Sequence, residues 1–362
     1  MKRMIAAAML ALFGSAQAQE AAMAPASLGT ITEDEWQAYR AAFVTGEGRV
    51  VDTANSGISH SEGQGYGLLL AYLAEDRASF ERIWSFTSTE LMIRNDGLAA
   101  WRWEPDADPH VNDTNNATDG DILIAYALAL AGTAWNDGVK LQRAAELART
   151  LGETMLVEAN GYSAILPGEY GFSARERGDG PVVNLSYWVF EAFPVLAELS
   201  PESGWLDVQA DGLALLDAAT REGRLPPDWI ALGSGSPVPA ADFPPEFGYN
   251  NIRIPLYLMR ADADPELLAR FVPAFDGGFA PARIDVTTGE RLETMAEPGY
   301  RLIGAALACI LEGAPVPAEL QAFEPASYYG STLHLLALAH LRNSHAACLD
   351  TRHPATNGSG QE

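Results

Sequence analysis

Apolar residues recur at three- and four-residue spacing through most of this chain, and alternating strand-like runs are rare. The pattern predicts twelve helices, over residues 33–45, 62–75, 77–92, 119–132, 137–156, 184–198, 203–222, 249–260, 265–275, 296–311, 316–322 and 326–343. The even-numbered segments are the more apolar. Short gaps follow the even segments from the second to the tenth, and long gaps rich in Gly, Pro, Asn and Asp precede them, as at 94–118, 160–183 and 222–248. Short connections make antiparallel helix pairs. The long ones then gather at one end of the molecule, where a rigid scaffold usually carries its site. Six such hairpins predict an all-α fold, an (α/α)6 barrel with the even helices inside and their N-termini facing the loop-rich end. An irregular helical bundle or solenoid is the alternative for the same pattern.

The ends of the chain read differently. Lys2 and Arg3, the apolar run 4–13 and the small residues Ala16 and Ala18 around Gln17 have the form of an export signal. The run is too short to span a bilayer. We therefore expect a signal peptide over 1–18, a catalytic domain over 19–345 and a polar, disordered tail over 346–362. The mature protein is expected in the periplasm or secreted, without membrane insertion.

A net charge of −25 disfavours nucleic acid, anionic lipid and polyanionic glycans as partners. A neutral partner meets no such repulsion. The two cysteines, Cys309 and Cys348, would meet an oxidising compartment after export. A disulfide and two separate thiols are both compatible with the sequence. No Cys/His cluster has metal-ligand spacing, so neither a metal nor a cofactor is expected.

Two helix starts carry acids. In ISHSEGQGYGLLL (58–70), Ser59 and Glu62 fit a capping box, in which the glutamate only satisfies a free backbone amide. Gly63, Gly65 and Gly67 argue for more, since each costs about 1 kcal/mol relative to Ala inside a helix. Glycines there suit the close approach of a ligand or a neighbouring helix. Tyr66 falls one turn after Glu62, on the same face. In NNATDGDILIAY (115–126), Thr118 and Asp121 again fit a capping box, which leaves Asp119 unassigned. Both helix starts should point to the loop-rich end, placing Glu62 and Asp119 across a cleft. Paired carboxylates are the equipment of glycosidic bond hydrolysis. Aromatic residues near helix starts and in loops would stack on pyranose rings: Trp101, Trp103, Tyr187, Trp188, Trp229, Tyr328 and Tyr329.

These segments resemble glycoside hydrolase family 8. SEGQGYG is similar to that family's general-acid motif, and ATDGDILIAYALALAGTAW (117–135) to its signature. NLSYWVFEAF, LPPDWI and YYGSTLHLLALA resemble later family segments in order, so the likeness spans residues 30 to 343. It is nearest to the endoglucanases associated with bacterial cellulose synthesis. The resemblance implies an (α/α)6 barrel, inversion at the anomeric carbon and no metal. It implies Glu62 as proton donor and Asp119 as the acid that binds the sugar at the cleavage point and positions water. Tyr66, Trp101, Trp103, Asp121, Tyr187 and Arg253 are expected to contact substrate, with Arg253 holding the carboxylates or a sugar hydroxyl.

One departure concerns Asn250 in GYNNIRIPLYL, where many family members carry the aspartate base. Asparagine can orient water but cannot take its proton as a carboxylate does. Asp119 is then the first candidate substitute base, with Glu246, Glu176 and Asp179 weaker ones. The expected activity is endo-β-1,4-glucanase action on a β-1,4-glucan chain, trimming nascent cellulose. The cellulose synthesis and export machinery is the further expected partner. The alternatives are the same fold acting on chitosan, xylan or mixed-linkage glucan, and a weakly active or non-hydrolytic cello-oligosaccharide-binding protein.

Overall fold

The computed structural model describes residues 27–233 and 235–349. These contain twelve α-helices: α1 (Glu33–Phe43), α2 (Ser61–Leu73), α3 (Arg77–Phe86), α4 (Thr118–Ala134), α5 (Gly138–Thr154), α6 (Phe193–Leu199), α7 (Trp205–Ala219), α8 (Arg253–Arg260), α9 (Pro265–Ala269), α10 (Pro298–Glu312), α11 (Ala318–Gln321) and α12 (Tyr328–Ser344). They form the (α/α)6 barrel. The even helices are the inner ring. In α2 every residue except Glu62 is buried, and α8 is buried along its whole length. The outer helices bury one stripe only, as Trp36, Tyr39 and Phe43 do in α1. The ring closes because α2 packs on both α4 and α12, α10 packs on α8 and α12, and residues 190–192 join α6 to α8.

Four of the outer helices begin where polar side chains satisfy free amides. Thr32 and Glu35 make a reciprocal capping box on α1, and Asp76, Asp137 and Asp264 cap α3, α5 and α9. Two inner helices start later than the sequence pattern predicts. Helix α6 begins at Phe193 rather than 184, and α8 at Arg253 rather than 249. Each carries a proline in its first turn, Pro194 and Pro255, a place where the missing N–H costs nothing. Starting earlier would put each proline in a helix interior. Residues 184–192 instead form two short 3-10 turns.

The long loops hold short strands that the periodicity does not reveal. Leu156–Ala159 pairs with Tyr162–Ile165, and Ala282–Asp285 lies between Glu246–Phe247 and Arg291–Thr294. Cys309 of α10 and Cys348 form a disulfide with their Cα atoms 5.9 Å apart. Residues 346–349 make a 3-10 turn with Cys348 buried, so the ordered domain runs past the expected boundary at 345. The export signal and the rest of the expected tail lie outside the described residues. Among the described residues, no helix is long and apolar enough to cross a membrane.

Candidate active site

A cleft opens at the end of the barrel where the inner helices begin. Glu62, Asp119, Asn250, Glu297 and Ser327 line it from the starts of, or the segments just before, α2, α4, α8, α10 and α12. Neither carboxylate motif is a capping box. His60 caps α2, its Nδ1 accepting from the Gly63 amide at 2.9 Å, while Ser59 donates to the Val50 carbonyl. Helix α4 has no side-chain cap: Thr118 donates to the Leu166 carbonyl at 2.6 Å, and Asp121 turns to the preceding loop. Glu62 is thus left free to serve the cleft.

The glycines bring the two acidic helix starts together. A β-carbon on Gly65 would come 2.6 Å from the β-carbon of Leu123, and one on Gly120 would come 2.2 Å from Ser61 Oγ. Only glycine permits α2 and α4 to approach so closely at this end. Between their starts sits Arg253, from the first turn of α8 and 1 % exposed. Its Nη1 donates to Glu62 Oε2 at 2.6 Å and its Nη2 to Asp119 Oδ2 at 2.7 Å. Nη2 also donates to Ser186 Oγ at 3.0 Å, and the guanidinium lies 5.5 Å from the centre of the Tyr187 ring.

This corrects the expectation that Glu62 and Asp119 face each other across a cleft. They sit side by side, on adjacent nitrogens of one arginine and within hydrogen-bonding reach of each other. Burial raises the pKa of Asp119 to about 6, against the opposing pull of Arg253 and with the charge of Glu62 adding to it. Burial is also the largest single influence on Glu62, but Arg253, His60 and the hydrogen bond with Asp119 together outweigh it and hold that carboxyl low. The pair titrates as a unit and retains one proton to mildly acidic pH. The Glu62 side chain is 20 % exposed and that of Asp119 only 2 %. Glu62 is therefore the more accessible member of the pair.

Trp101, Tyr187 and Asn250 line the cleft. Trp101 is held by a hydrogen bond from its Nε1 to Asp113 Oδ2, 2.8 Å long. Three expected substrate contacts lie elsewhere. Tyr66 is fully buried behind Arg253, with its hydroxyl bonded to that of Tyr257. Trp103 packs among Phe86, His110 and the Arg49 guanidinium. Asp121 is buried and accepts from the Ala99 amide at 2.8 Å and Asn116 Nδ2 at 3.1 Å, tying loop to helix.

The weaker base candidates are also engaged away from the cleft. Glu246 pairs with Arg283 at 2.9 Å, Asp179 with Arg177 at 3.0 Å, and Glu176 accepts from the Gly171 and Ser173 amides. Sequence reasoning missed Tyr249 and Tyr300, whose rings meet at 5.9 Å beside Tyr329 on the cleft wall. It also missed Asp228, which accepts from Asn250 Nδ2 at 3.2 Å. The available signal was an acid in LPPDWI, where only the neighbouring Trp229 drew notice.

A second cavity opens at the opposite end of the barrel, beside the buried Arg260–Glu191 ion pair and His340. Of its lining acids, Glu191 is held by Arg260, while Glu198 and Asp262 complete the wall. Among the described residues no group of His, Cys, Asp and Glu is arranged to hold a metal ion.

A carboxylate pair at the mouth of a helical double ring, with aromatic rings along the groove, defines a glycan-cleaving type of site. The comparisons with known proteins give the particular family. The sequence model of "Glycosyl hydrolases family 8" matches residues 6–343. A probable endoglucanase of Novacetimonas hansenii is 38 % identical over 310 residues, covering 83 % of this chain and 88 % of that protein. An endoglucanase of Cellulomonas uda is 37 % identical over 260 residues, 70 % of this chain and 72 % of its own. The solved endo-β-1,4-glucanase of Acetobacter xylinum superposes with a TM-score of 0.76 at 36 % identity, covering 85 % of this chain and 97 % of that one. This chain belongs to glycoside hydrolase family 8.

Proposed function

We propose that the protein is an endo-β-1,4-glucanase that hydrolyses cellulose-like glucan with inversion. The observation that carries this reading is the single arginine holding two carboxylates that both line the cleft, of which Glu62 is the more exposed. Glu62 gives its proton to the leaving glycosidic oxygen. Asp119 resupplies and orients it, and binds the sugar at the point of cleavage. Trp101, Tyr187 and the Tyr249–Tyr300–Tyr329 group offer apolar faces to successive pyranose rings. Asn250 orients the attacking water.

Inversion needs roughly 6.5–9.5 Å between acid and base so that water fits between them. Asp119 lies against Glu62, so it is not that base. The acidic surface and the export pattern suit a neutral glucan outside the cytoplasm, with trimming of nascent cellulose as the role. The test is cellopentaose hydrolysis followed by proton NMR, together with viscosity of carboxymethyl cellulose. We expect a fast viscosity drop and α-anomer appearing first. First appearance of β-anomer would reject inversion. Asn250 favours one other reading, a protein that binds cello-oligosaccharides without cleaving them; binding with no turnover would establish it.

A further inference from the structure

We propose that Asp228 is the proton acceptor of the hydrolysis, acting through the side-chain amide of Asn250. The inference rests on the glucanase reading and supplies the base that reading lacks. Asn250 lines the cleft three residues before Arg253, so it stands on the same turn that feeds the carboxylate clamp. Its Nδ2 is spent on Asp228 Oδ2 at 3.2 Å. A carboxylate can only accept, which fixes the amide orientation and leaves Asn250 Oδ1 free to accept from a water. Among the described residues that oxygen has no protein hydrogen-bond donor.

Asp228 is built for the part. It is 6 % exposed and sits behind Asn250. Its other oxygen accepts from the Gly248 amide at 2.9 Å and the Asn251 amide at 3.3 Å, which hold the carboxyl in place. The carboxyl also lies close to Gly248, where a β-carbon would come 2.7 Å from Asp228 Oδ2. No cation pairs with Asp228 among the described residues; the nearby Glu246 is itself paired to Arg283. Burial without a cationic partner raises the proton affinity of a carboxylate. Burial and Glu246 together raise its pKa to about 6, over the opposing amide hydrogen bonds.

The step balances as follows. The water oxygen bonds to the anomeric carbon as the glycosidic C–O bond breaks, and the leaving oxygen takes the Glu62 proton. One water proton passes to Asn250 Oδ1 while an Nδ2 proton passes to Asp228 Oδ2. Asn250 is then transiently the imidic-acid tautomer, and Asp228 is a neutral acid. The amide re-forms when Asp228 returns a proton to Nδ2 and Oδ1 releases one to solvent. Glu62 is recharged from solvent through Asp119.

A purely structural Asp228, one that only shapes the 248–251 turn, is the competing account. Moving the carboxylate separates the two. The full-length protein is compared with Asp228→Asn, Asn250→Asp, the double variant and Glu62→Gln, using cellopentaose kcat and KM, calorimetric affinity and melting temperature. Asp228→Asn is expected to lose about 10²-fold in kcat with KM and affinity little changed. Adding Asn250→Asp should recover at least about tenfold of that loss, because a carboxylate again faces the water. The acid limb of its kcat profile should move to lower pH, since residue 250 is less buried than 228.

Asn250→Ala, which leaves the backbone bonds of Asp228 intact, covers the case of a poorly folded Asp228→Asn and should lose a similar factor. Near-full kcat in Asp228→Asn or Asn250→Ala, beside an inactive Glu62→Gln, overturns the relay alone. Failure of the double variant to recover activity does the same. Wild-type protein that binds cellopentaose without cleaving it overturns the glucanase reading and the relay with it.

Discussion

Gly120 of α4 stands so close to Glu62 of α2 that a β-carbon on it would lie 2.6 Å from the Glu62 backbone nitrogen. The obstacle is main chain, which cannot swing aside as a long side chain does. Gly120→Ala must therefore part the two helix starts and with them the carboxylates that Arg253 joins. Overpacking of this kind costs about 1–3 kcal/mol. A displacement near 1 Å at the reacting groups costs about 10²-fold in rate. We expect kcat to fall by about that factor with only a modest drop in melting temperature. Unchanged kcat would mean that the close contact of α2 and α4 does not set the site's geometry.

Trp101 and Trp103 are two residues apart and should answer differently. Trp101 lines the cleft, whereas Trp103 is buried between Phe86 and His110. Trp101→Ala removes a sugar platform worth about 1.5 kcal/mol, so KM for cellopentaose should rise roughly tenfold at little cost in stability. Trp103→Ala empties a packed site and should cost about 3–5 kcal/mol of stability with KM near normal. Steady-state kinetics and urea melts on both variants read this directly. The reverse pattern would exchange their roles.

Asp121 makes stability depend on pH. Burial raises its pKa to about 7, although the Ala99 amide and Asn116 pull the other way. Its unfolded value is about 3.9. Between these values the folded state binds more protons than the unfolded one, so stability falls as pH rises through about 4 to 7. Asp121→Asn abolishes that titration. The decline in melting temperature from pH 5 to pH 8 should be shallower in the variant than in the wild type. Equal declines would show that Asp121 is ionised in the folded protein throughout.

Much of this architecture is legible in the pattern of apolar residues. The apolar even segments identify the inner ring, and the alternation of short and long gaps gives the end that carries the cleft. The periodicity fails where proline decides the register. Pro194 and Pro255 delay α6 and α8 although the apolar spacing before them still reads as helix. The loop strands escape notice because each is only two to four residues long.

At the site, Glu62, Asp119 and Arg253 can be found as residues, but not their arrangement. That Gly65 and Gly120 serve helix contact, and so put the acids on one side, depends on which helices are neighbours. Tyr66 shares a helical face with Glu62, yet that face meets α8 rather than the cleft, as its bond to Tyr257 shows. Asp228 stands alone among apolar residues in LPPDWI and becomes meaningful only through its contact with Asn250.

The central claim is that Glu62 donates the proton to the leaving oxygen, and a change of leaving group tests it most directly. Glu62→Gln and wild type are compared on cellopentaose and on 2,4-dinitrophenyl β-cellotrioside, whose phenolate departs without protonation. The account expects a loss of about 10³-fold on cellopentaose and less than about tenfold on the aryl glycoside. Equal losses on both substrates, or no loss on either, would contradict it.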